Sequence, residues 1–443
     1  MTPNEGFNSL PEKNGSMSTL STQPVKGMRD LIGKQARLKR KIERVIADYA
    51  SRYGFEPMQV PVLENLETLT IKGGGGEGVQ KELYTLEDQS GRKLGMRFEF
   101  TTSLARVIAG NPELPKPIKS LNMGTVYRYD NPQAMRYREF TQADCDIIGT
   151  RSTYADAECA SLAIDVMKGL GFNEFFLRIN DRRLINALLL ICEIPPERAN
   201  DALRILDKLD KIGAEGVKKE LEEKSLPTSI LTYLDDSLPK IKKVIENENG
   251  DLSGVTALEE IMGVLEGNDK LPYVKFDPSL VRGLEYYTGP VFEIFAGAKA
   301  SVGGGGRYDQ LIASMGGPDL PAVGISFGVD RLMDLKLDSW NELSVDVYVI
   351  PIGNVFNEAQ RIANDLRNEG LRVEIDLMGR GVGKNLNYAN GKQVPIVLFA
   401  GEDELKEKSV KIRDMKTGEE KMVKILPTQT LCQTIRGILE MEK

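Results

Sequence analysis

The chain has 443 residues, 41% of them hydrophobic and 28% charged, with a formal net charge of −7 and no histidine. That length exceeds what one core fills, so two or three domains are expected, and without an imidazole both Ser-His-Asp and Cys-His mechanisms and every His-ligated metal site are excluded. No apolar run approaches the roughly 20 residues that cross a bilayer and the polar start (Met1 to Gln23) lacks the apolar core of a secretory signal, so no membrane partner and a cytoplasmic location are expected.

Residues 1–24 are rich in Ser, Thr, Asn, Pro and Gly and read as a flexible tail. Leu38, Ile42, Val45, Ile46 and Tyr49 recur at helical spacing, with Gly54 as a stop. Phe55 to Leu63 reads as a strand whose Pro57 and Pro61 suit a sheet edge or a subunit boundary. Gly73 to Gly76 read as a loop, because no Lys-Ser/Thr follows to make a phosphate cradle. From Tyr84 to Thr150 strand signals dominate, around a short helix at Leu104 to Ile108, which implies an antiparallel sheet. Residues 183–268 carry Leu, Ile and Ala at helical spacing, broken at Pro195-Pro196, and read as a helical insertion. Strand signals resume at Tyr273 and lead through Val291 to Ile294 into a glycine run and a helix near Asp330.

After Ser339 short apolar runs alternate with helices. Val347 to Ile350 is a strand, Asn354 can cap the next helix, and Gly370 ends it. Leu371 to Ile375 and Ile396 to Phe399 follow, and Val410 to Ile412 faces Met422 to Lys424 across a Lys416-Thr417-Gly418 turn. Residues 343–443 thus form a separate α/β domain. Cys145, Cys159, Cys192 and Cys432 form no Cys-x-x-Cys pair and read as buried reduced thiols. No metal-ligating set stands out.

Three stretches carry candidate chemistry. Arg128-Tyr129-Asp130 and Arg136-Tyr137-Arg138-Glu139-Phe140-Thr141-Gln142 flank the turn Asn131-Pro132-Gln133, so three guanidinium groups either reach phosphate oxygens bidentately or decorate a solvated hairpin. On charge alone the two are equally good. Leu280-Val281-Arg282-Gly283-Leu284-Glu285-Tyr286-Tyr287-Thr288-Gly289 sets a permanent cation and two phenols beside glycines that let backbone approach a ligand; a buried Tyr pair on a strand is the plainer reading. Gly303 to Gly306, Arg307-Tyr308-Asp309 and Pro321 to Leu332 give a glycine strand, a turn, a small-residue strand and an arginine, Arg331, that opens a helix.

The first stretch resembles motif 2 of class II aminoacyl-tRNA synthetases, the second closely resembles the signature peculiar to histidyl-tRNA synthetases, and the third resembles that family's second histidine signature with class II motif 3. The helix before Gly54 and the segment to Leu63 resemble motif 1, which builds the dimer interface. The resemblance runs from Lys26-Gly27-Met28-Arg29-Asp30 to about Arg331. It implies an α+β catalytic domain on an antiparallel sheet, in two parts (25–182 and 269–337) around the helical insertion, and a C-terminal α/β anticodon-binding domain.

It also implies site residues. Arg128 and Arg282 are the catalytic pair, and Arg128, Arg136, Arg282 and Arg331 bind ATP, with Arg128 on the α-phosphate and Arg331 on the γ-phosphate. Glu99, Thr101, Gln142, Asp146, Arg282, Tyr286 and Tyr287 bind histidine, Glu99 and Thr101 at the α-amino group and Asp146 with Tyr287 at the imidazole. The family usually has Glu where Asp130 stands, and many relatives have Glu for Asp146 and His for Thr141. The implied activity is ATP-dependent activation of histidine and transfer to tRNA(His) by a homodimer, with ATP as substrate and Mg²⁺. The implied alternative is a non-catalytic, histidine-sensing regulatory subunit, a kind that usually lacks the anticodon domain and the ATP arginines. Lys406, Lys408, Lys411 and Arg413 are candidate tRNA contacts, or a solvated face.

Overall fold

The apolar positions spaced three and four apart at the start of the chain form one buried stripe, Leu38, Ile42, Ile46 and Ala50, on helix α1 (Lys34–Arg52). The helix ends where Gly54 takes φ +78° and Phe55 N donates back to Ala50 O at 3.0 Å, a reversal that a side chain at 54 disfavours. The computed structural model describes residues 22–71, 81–281, 286–297 and 300–440, so the tail to residue 21 and Gly73 to Gly76 lie outside the described residues. The chain divides into two units, Met1–Leu337 and Asp338–Lys443.

The first unit is built on an eight-stranded sheet of order β1-β5-β6-β11-β10-β9-β7-β8. Its strands are β1 (Glu56–Met58), β5 (Ile118–Tyr127), β6 (Glu139–Ile148), β7 (Phe175–Asp181), β8 (Val274–Phe276), β9 (Pro290–Ala296), β10 (Ala300–Arg307) and β11 (Ala322–Gly328). β2 (Leu63–Asn65), β3 (Thr85–Glu87) and β4 (Lys93–Met96) make a small separate sheet. The six inner strands are antiparallel, but β1 runs parallel to β5 and β8 parallel to β7. The sheet is therefore mixed, where strand signals alone implied a wholly antiparallel one. Hairpin neighbours such as β5 and β6 must be antiparallel, whereas β1 and β8 reach their neighbours through long excursions that leave direction free.

The two faces of β6 differ by the two-residue period of a strand. Ala143, Cys145 and Ile147 are buried on one face, under α3 (Thr153–Gly169), whose Cys159 Sγ lies 4.0 Å from Val323 O of β11. Gln142, Asp144 and Asp146 turn to the other. Helices α4 (Arg182–Ile191), α5 (Pro196–Leu206), α6 (Leu209–Glu223), α7 (Leu238–Asn247) and α8 (Ser253–Gly267) lie between β7 and β8 in sequence, and α9 (Val329–Lys336) follows β11.

The end of the glycine strand is fixed by an ion pair beneath the sheet. Arg307 donates through Nη2 to Asp156 Oδ2 at 2.5 Å and through Nε to Oδ1 at 3.1 Å, and both residues are buried. Burial pushes the Asp156 carboxyl up to about 6 in spite of the bonds from Arg307. Asp156→Ala leaves a buried guanidinium short of its main partner and is expected to destabilise this unit by about 3 kcal/mol in denaturant titrations, whereas a surface ion pair lost from α6, such as Lys219 with Glu223, changes little.

The second unit is a three-layer sandwich. Its sheet has the order β13-β12-β14-β15-β16, from β12 (Val347–Ile352), β13 (Val373–Ile375), β14 (Ile396–Gly401), β15 (Ser409–Asp414) and β16 (Glu420–Lys424). Val347, Val349, Ile396 and Leu398 pack with α10 (Phe356–Asn368) and α12 (Thr428–Glu440), while Tyr348, Ile350, Val397 and Phe399 pack with Ala389 of α11 (Val382–Gly391). Alternate residues of each strand thus serve opposite layers. Val410 pairs with Val423. The Asn354 cap does not form: α10 starts after Val355 with no side-chain cap, and Asn354 N donates to Glu402 Oε1 at 3.0 Å. All four cysteines are buried and free. Among the described residues no helix is long and apolar enough to cross a membrane.

Candidate active site

The polar face of β6 looks across the ladder at small residues of β11. Gln142 pairs with Gly328, Asp144 with Ser326, and Asp146 with Gly324. Directly opposed residues share a face with Cβ atoms about 5 Å apart, so two full side chains would fill the space between them. Glycine leaves it open. A Cβ on Gly324 would collide with Asp146 Oδ1, and one on Gly306, at φ +156°, would come within 2.9 Å of the Tyr287 ring. Gly324→Ala is therefore expected to displace the carboxylate and raise KM for a substrate bound at it at least about tenfold, read by substrate titration, with the KM for a substrate held elsewhere in the cavity little changed.

The result is a cavity of about 560 Å³. Glu99, Thr101, Arg128, Arg136, Gln142, Asp146, Tyr286, Tyr287 and Arg331 all line it. Arg282, with Gly283, Leu284 and Glu285, lies outside the described residues. Among the lining groups are acids and phenols. Asp146 Oδ1 accepts from the Tyr308 hydroxyl at 2.6 Å, and the buried Oδ2 has no hydrogen-bond partner within the protein. Burial pushes Asp146 up to about 7. The Gln142 amide donates to Ser326 Oγ at 3.1 Å, and that hydroxyl donates to Asp144 Oδ1 at 2.5 Å. Burial, then the neighbouring Asp146, pushes Asp144 well above the usual carboxylate range. The Tyr286 ring stands 4.8 Å from that of Tyr287 and 5.9 Å from that of Tyr308, centroid to centroid.

Glu99 is held by the first turn of α2 (Thr101–Gly110). Its carboxylate accepts from Thr101 N and, at 2.8 Å, from Thr102 N, so the start of a helix holds it in place. Each oxygen keeps a further lone pair for a cation.

Arginines line the same cavity. Arg128, just beyond β5, donates through Nε to Phe98 O at 3.0 Å with its guanidinium 5.2 Å from the Phe140 ring centroid. Burial pulls its pKa below the ordinary value, against the pull of Glu99 and Glu82. Arg331, in the first turn of α9, donates to Ser301 O at 2.7 Å and Met135 O at 3.3 Å. Arg136 is half-exposed and its Nε forms an ion pair with Asp130, so this acid is engaged along the hairpin.

The sequence assigned no role to Asp144, Ser326 or Tyr308, although Ser326 and Tyr308 lie within a stretch it marked for candidate chemistry. Asp144 was within reach, since it lies midway between two named residues on one strand face. Ser326 joins the site through strand register, opposite Asp144, and Tyr308 through its hydroxyl bond to Asp146.

A profile of the histidyl-tRNA synthetase family matches residues 27–332, and one of the anticodon binding domain matches residues 346–431. Histidine–tRNA ligase 1 of Bacillus cereus is 37% identical over 411 residues, covering 89% of this chain and 94% of its own length. Histidine–tRNA ligase of Pyrobaculum aerophilum is 36% identical over 404 residues, with the same coverage of 89% and 94%. The crystal structure of histidyl-tRNA synthetase from Nostoc sp. matches with a TM-score of 0.83 at 25% identity, over 94% of this chain and 99% of that one. Agreement of that extent, through the sheet-bearing first unit and the separate second unit alike, makes this chain a member of the histidyl-tRNA synthetase family.

Proposed function

We propose that the chain activates histidine with MgATP and transfers it to the 3′ end of tRNA(His). The observation that carries this reading is the convergence of Arg128 and Arg331 with Glu99, Gln142 and Asp146 on one cavity, although they come from four separate stretches of sequence. Histidine enters with its ring N–H at Asp146 Oδ2, beside Tyr287, and its α-ammonium at Glu99 and Thr101. Its carboxylate attacks the α-phosphorus of ATP, the bond to the β-phosphate oxygen breaks, and pyrophosphate leaves. The terminal ribose hydroxyl of the tRNA then attacks the histidyl carbonyl, and AMP leaves. Phosphoryl transfer needs positioning and charge neutralisation more than a side-chain base, which suits a chain without histidine.

In this reading Arg128 holds the α-phosphate, Arg331 the γ-phosphate, and Arg136 contacts the nucleotide from the hairpin. Arg282 joins Arg128 as the catalytic pair by resemblance alone. Mg²⁺ arrives with the phosphates of its substrate, the form in which it ordinarily binds, with few protein ligands and several waters. The regulatory alternative is not favoured, since the two curated relatives named above are ligases matched over nearly their whole length.

The enzyme works as a cytoplasmic homodimer through α1 and the segment after it, where β1 leaves a sheet edge open and Val62 and Leu63 are exposed. In the second unit, Lys411 and Arg413 both pair with Glu420, and Lys406 pairs with Asp403. A better surface for unpaired anticodon bases is formed by Ile352, Phe356, Leu377, Met378 and Val382, exposed around the carboxyl ends of the parallel strands β12 and β13. ATP–pyrophosphate exchange with each of the twenty amino acids tests the reading. Histidine alone is expected to stimulate it; stimulation by another amino acid, or none by histidine, overturns the proposal.

A further inference from the structure

Arg29 does not line the cavity, yet it touches three groups tied to it. Its Nη2 lies 2.7 Å from Asp330 Oδ1 and its Nη1 3.1 Å from Asp334 Oδ1, so one guanidinium bridges two carboxylates a helical turn apart on α9. Its plane covers the Tyr137 ring, with Cζ 3.6 Å from the centroid, and the Tyr137 hydroxyl donates to Asp334 Oδ2 at 2.7 Å. The remaining oxygen of Asp330 accepts from Thr141 N, at the start of β6, at 2.6 Å. The segment is fastened again two residues earlier: Arg138 N donates to Gly27 O at 2.8 Å, and a Cβ on Gly27 would lie 2.8 Å from the Arg138 side chain.

Tyr137 and Asp330 line the cavity beside Arg136 and Arg331. Arg331 is itself bonded to Met135 O on the same hairpin. The chain segment before α1, the hairpin between β5 and β6, and the first turn of α9 thus meet at one guanidinium.

We infer that Arg29 is a positioning residue for the triphosphate end of the cavity: it locks the hairpin to α9 and neutralises Asp330 and Asp334 beside the place where phosphates bind. Without it, two carboxylates one turn apart repel each other and the incoming nucleotide, and Tyr137 keeps only its hydroxyl bond to Asp334. The inference rests on the nucleotide reading given above. It predicts a defect specific to ATP, because the acid and phenol groups proposed to read the amino acid make no contact with Arg29. Lysine is a poor replacement: an ammonium restores charge but neither the planar fork nor the stack on Tyr137.

The test is steady-state pyrophosphate exchange together with calorimetric titration of MgATP into Arg29→Met, Arg29→Lys, Asp334→Asn and Arg29→Met/Asp334→Asn. Arg29→Met is expected to raise KM and Kd for ATP roughly five- to twentyfold, with KM for histidine and kcat within about twofold of the parent. Arg29→Lys should recover part of this, and the double variant should bind ATP better than Arg29→Met alone because the repulsion is relieved. If Arg29→Met is too unstable to assay, Arg29→Lys carries the test, with KM for ATP raised severalfold. Unchanged ATP affinity in a folded variant overturns the inference, as does an equal rise in KM for histidine and ATP, which marks a merely structural role. A parent enzyme that shows no histidine-dependent exchange but binds MgATP, with Arg29→Met binding it more weakly, sinks the functional reading and leaves this one standing.

Discussion

Arg128→Ala is expected to lower the rate of histidyl-adenylate formation by roughly 10²- to 10³-fold, in single-turnover pyrophosphate release, while circular dichroism and melting stay near the parent's. The physical reason is the site of this cation. It is anchored by one bond to Phe98 O and braced by the Phe140 ring, so its outer nitrogens are aimed before substrate arrives. In the proposed reading, charge that develops around the α-phosphorus meets a donor that need not reorganise. Because the side chain is largely withdrawn from solvent, water cannot replace it at equal strength. Arg128→Lys is expected to recover little, since an ammonium presents no paired donors to two phosphate oxygens.

Asp146→Asn is expected to raise KM for histidine roughly ten- to a hundredfold and KM for ATP less than about threefold. The pH dependence has a definite sign. In the proposed reading the carboxylate form accepts the ring N–H, and burial raises Asp146 to about 7, so kcat/KM for histidine is expected to fall as pH drops through about 7. Free histidine protonates slightly lower, near about 6.5, and adds a second decline. In the Asn variant the first decline disappears and the second remains. Stability runs the other way. A carboxyl whose folded-state pKa is raised favours folding at low pH, and that contribution is lost as pH rises from the unfolded value near 4 through about 7. Asp146→Asn should therefore raise the melting temperature more at pH 8 than at pH 5, so the acid is kept at a cost to the empty fold. An equal shift at both pH values contradicts the assignment.

Much of this architecture could be read from residue spacing. The stripe of α1, the two-residue alternation of β6 and the hairpin of β15 and β16 follow from local period and turn chemistry, which neighbours in sequence dictate. The outer strands were harder, because β1 and β8 are three residues each and their direction depends on chain excursions rather than on pattern. Asn354 has the right residue type for a cap, but Glu402, distant in sequence, takes its backbone N–H instead.

The site divides the same way. Gln142 and Asp146 share a face by spacing alone, and the glycines opposite them make sense once the register sets Gly324 against Asp146. Arg136 illustrates the limit of charge reasoning: the same guanidinium that suits a phosphate is held by Asp130 across its own turn. Arg29 shows the other limit, as its partner Asp330 lies 301 residues away and no local pattern links them.

The central claim is that one cavity holds both histidine and the nucleotide between these groups. A crystal structure of the protein grown with histidine and ATP tests it directly. The account predicts density for an adenylate with its phosphate within hydrogen-bond distance of Arg128, a ring N–H on Asp146 Oδ2 and the ammonium on Glu99. Histidine or nucleotide bound away from that cavity, or a ring turned from Asp146, contradicts it.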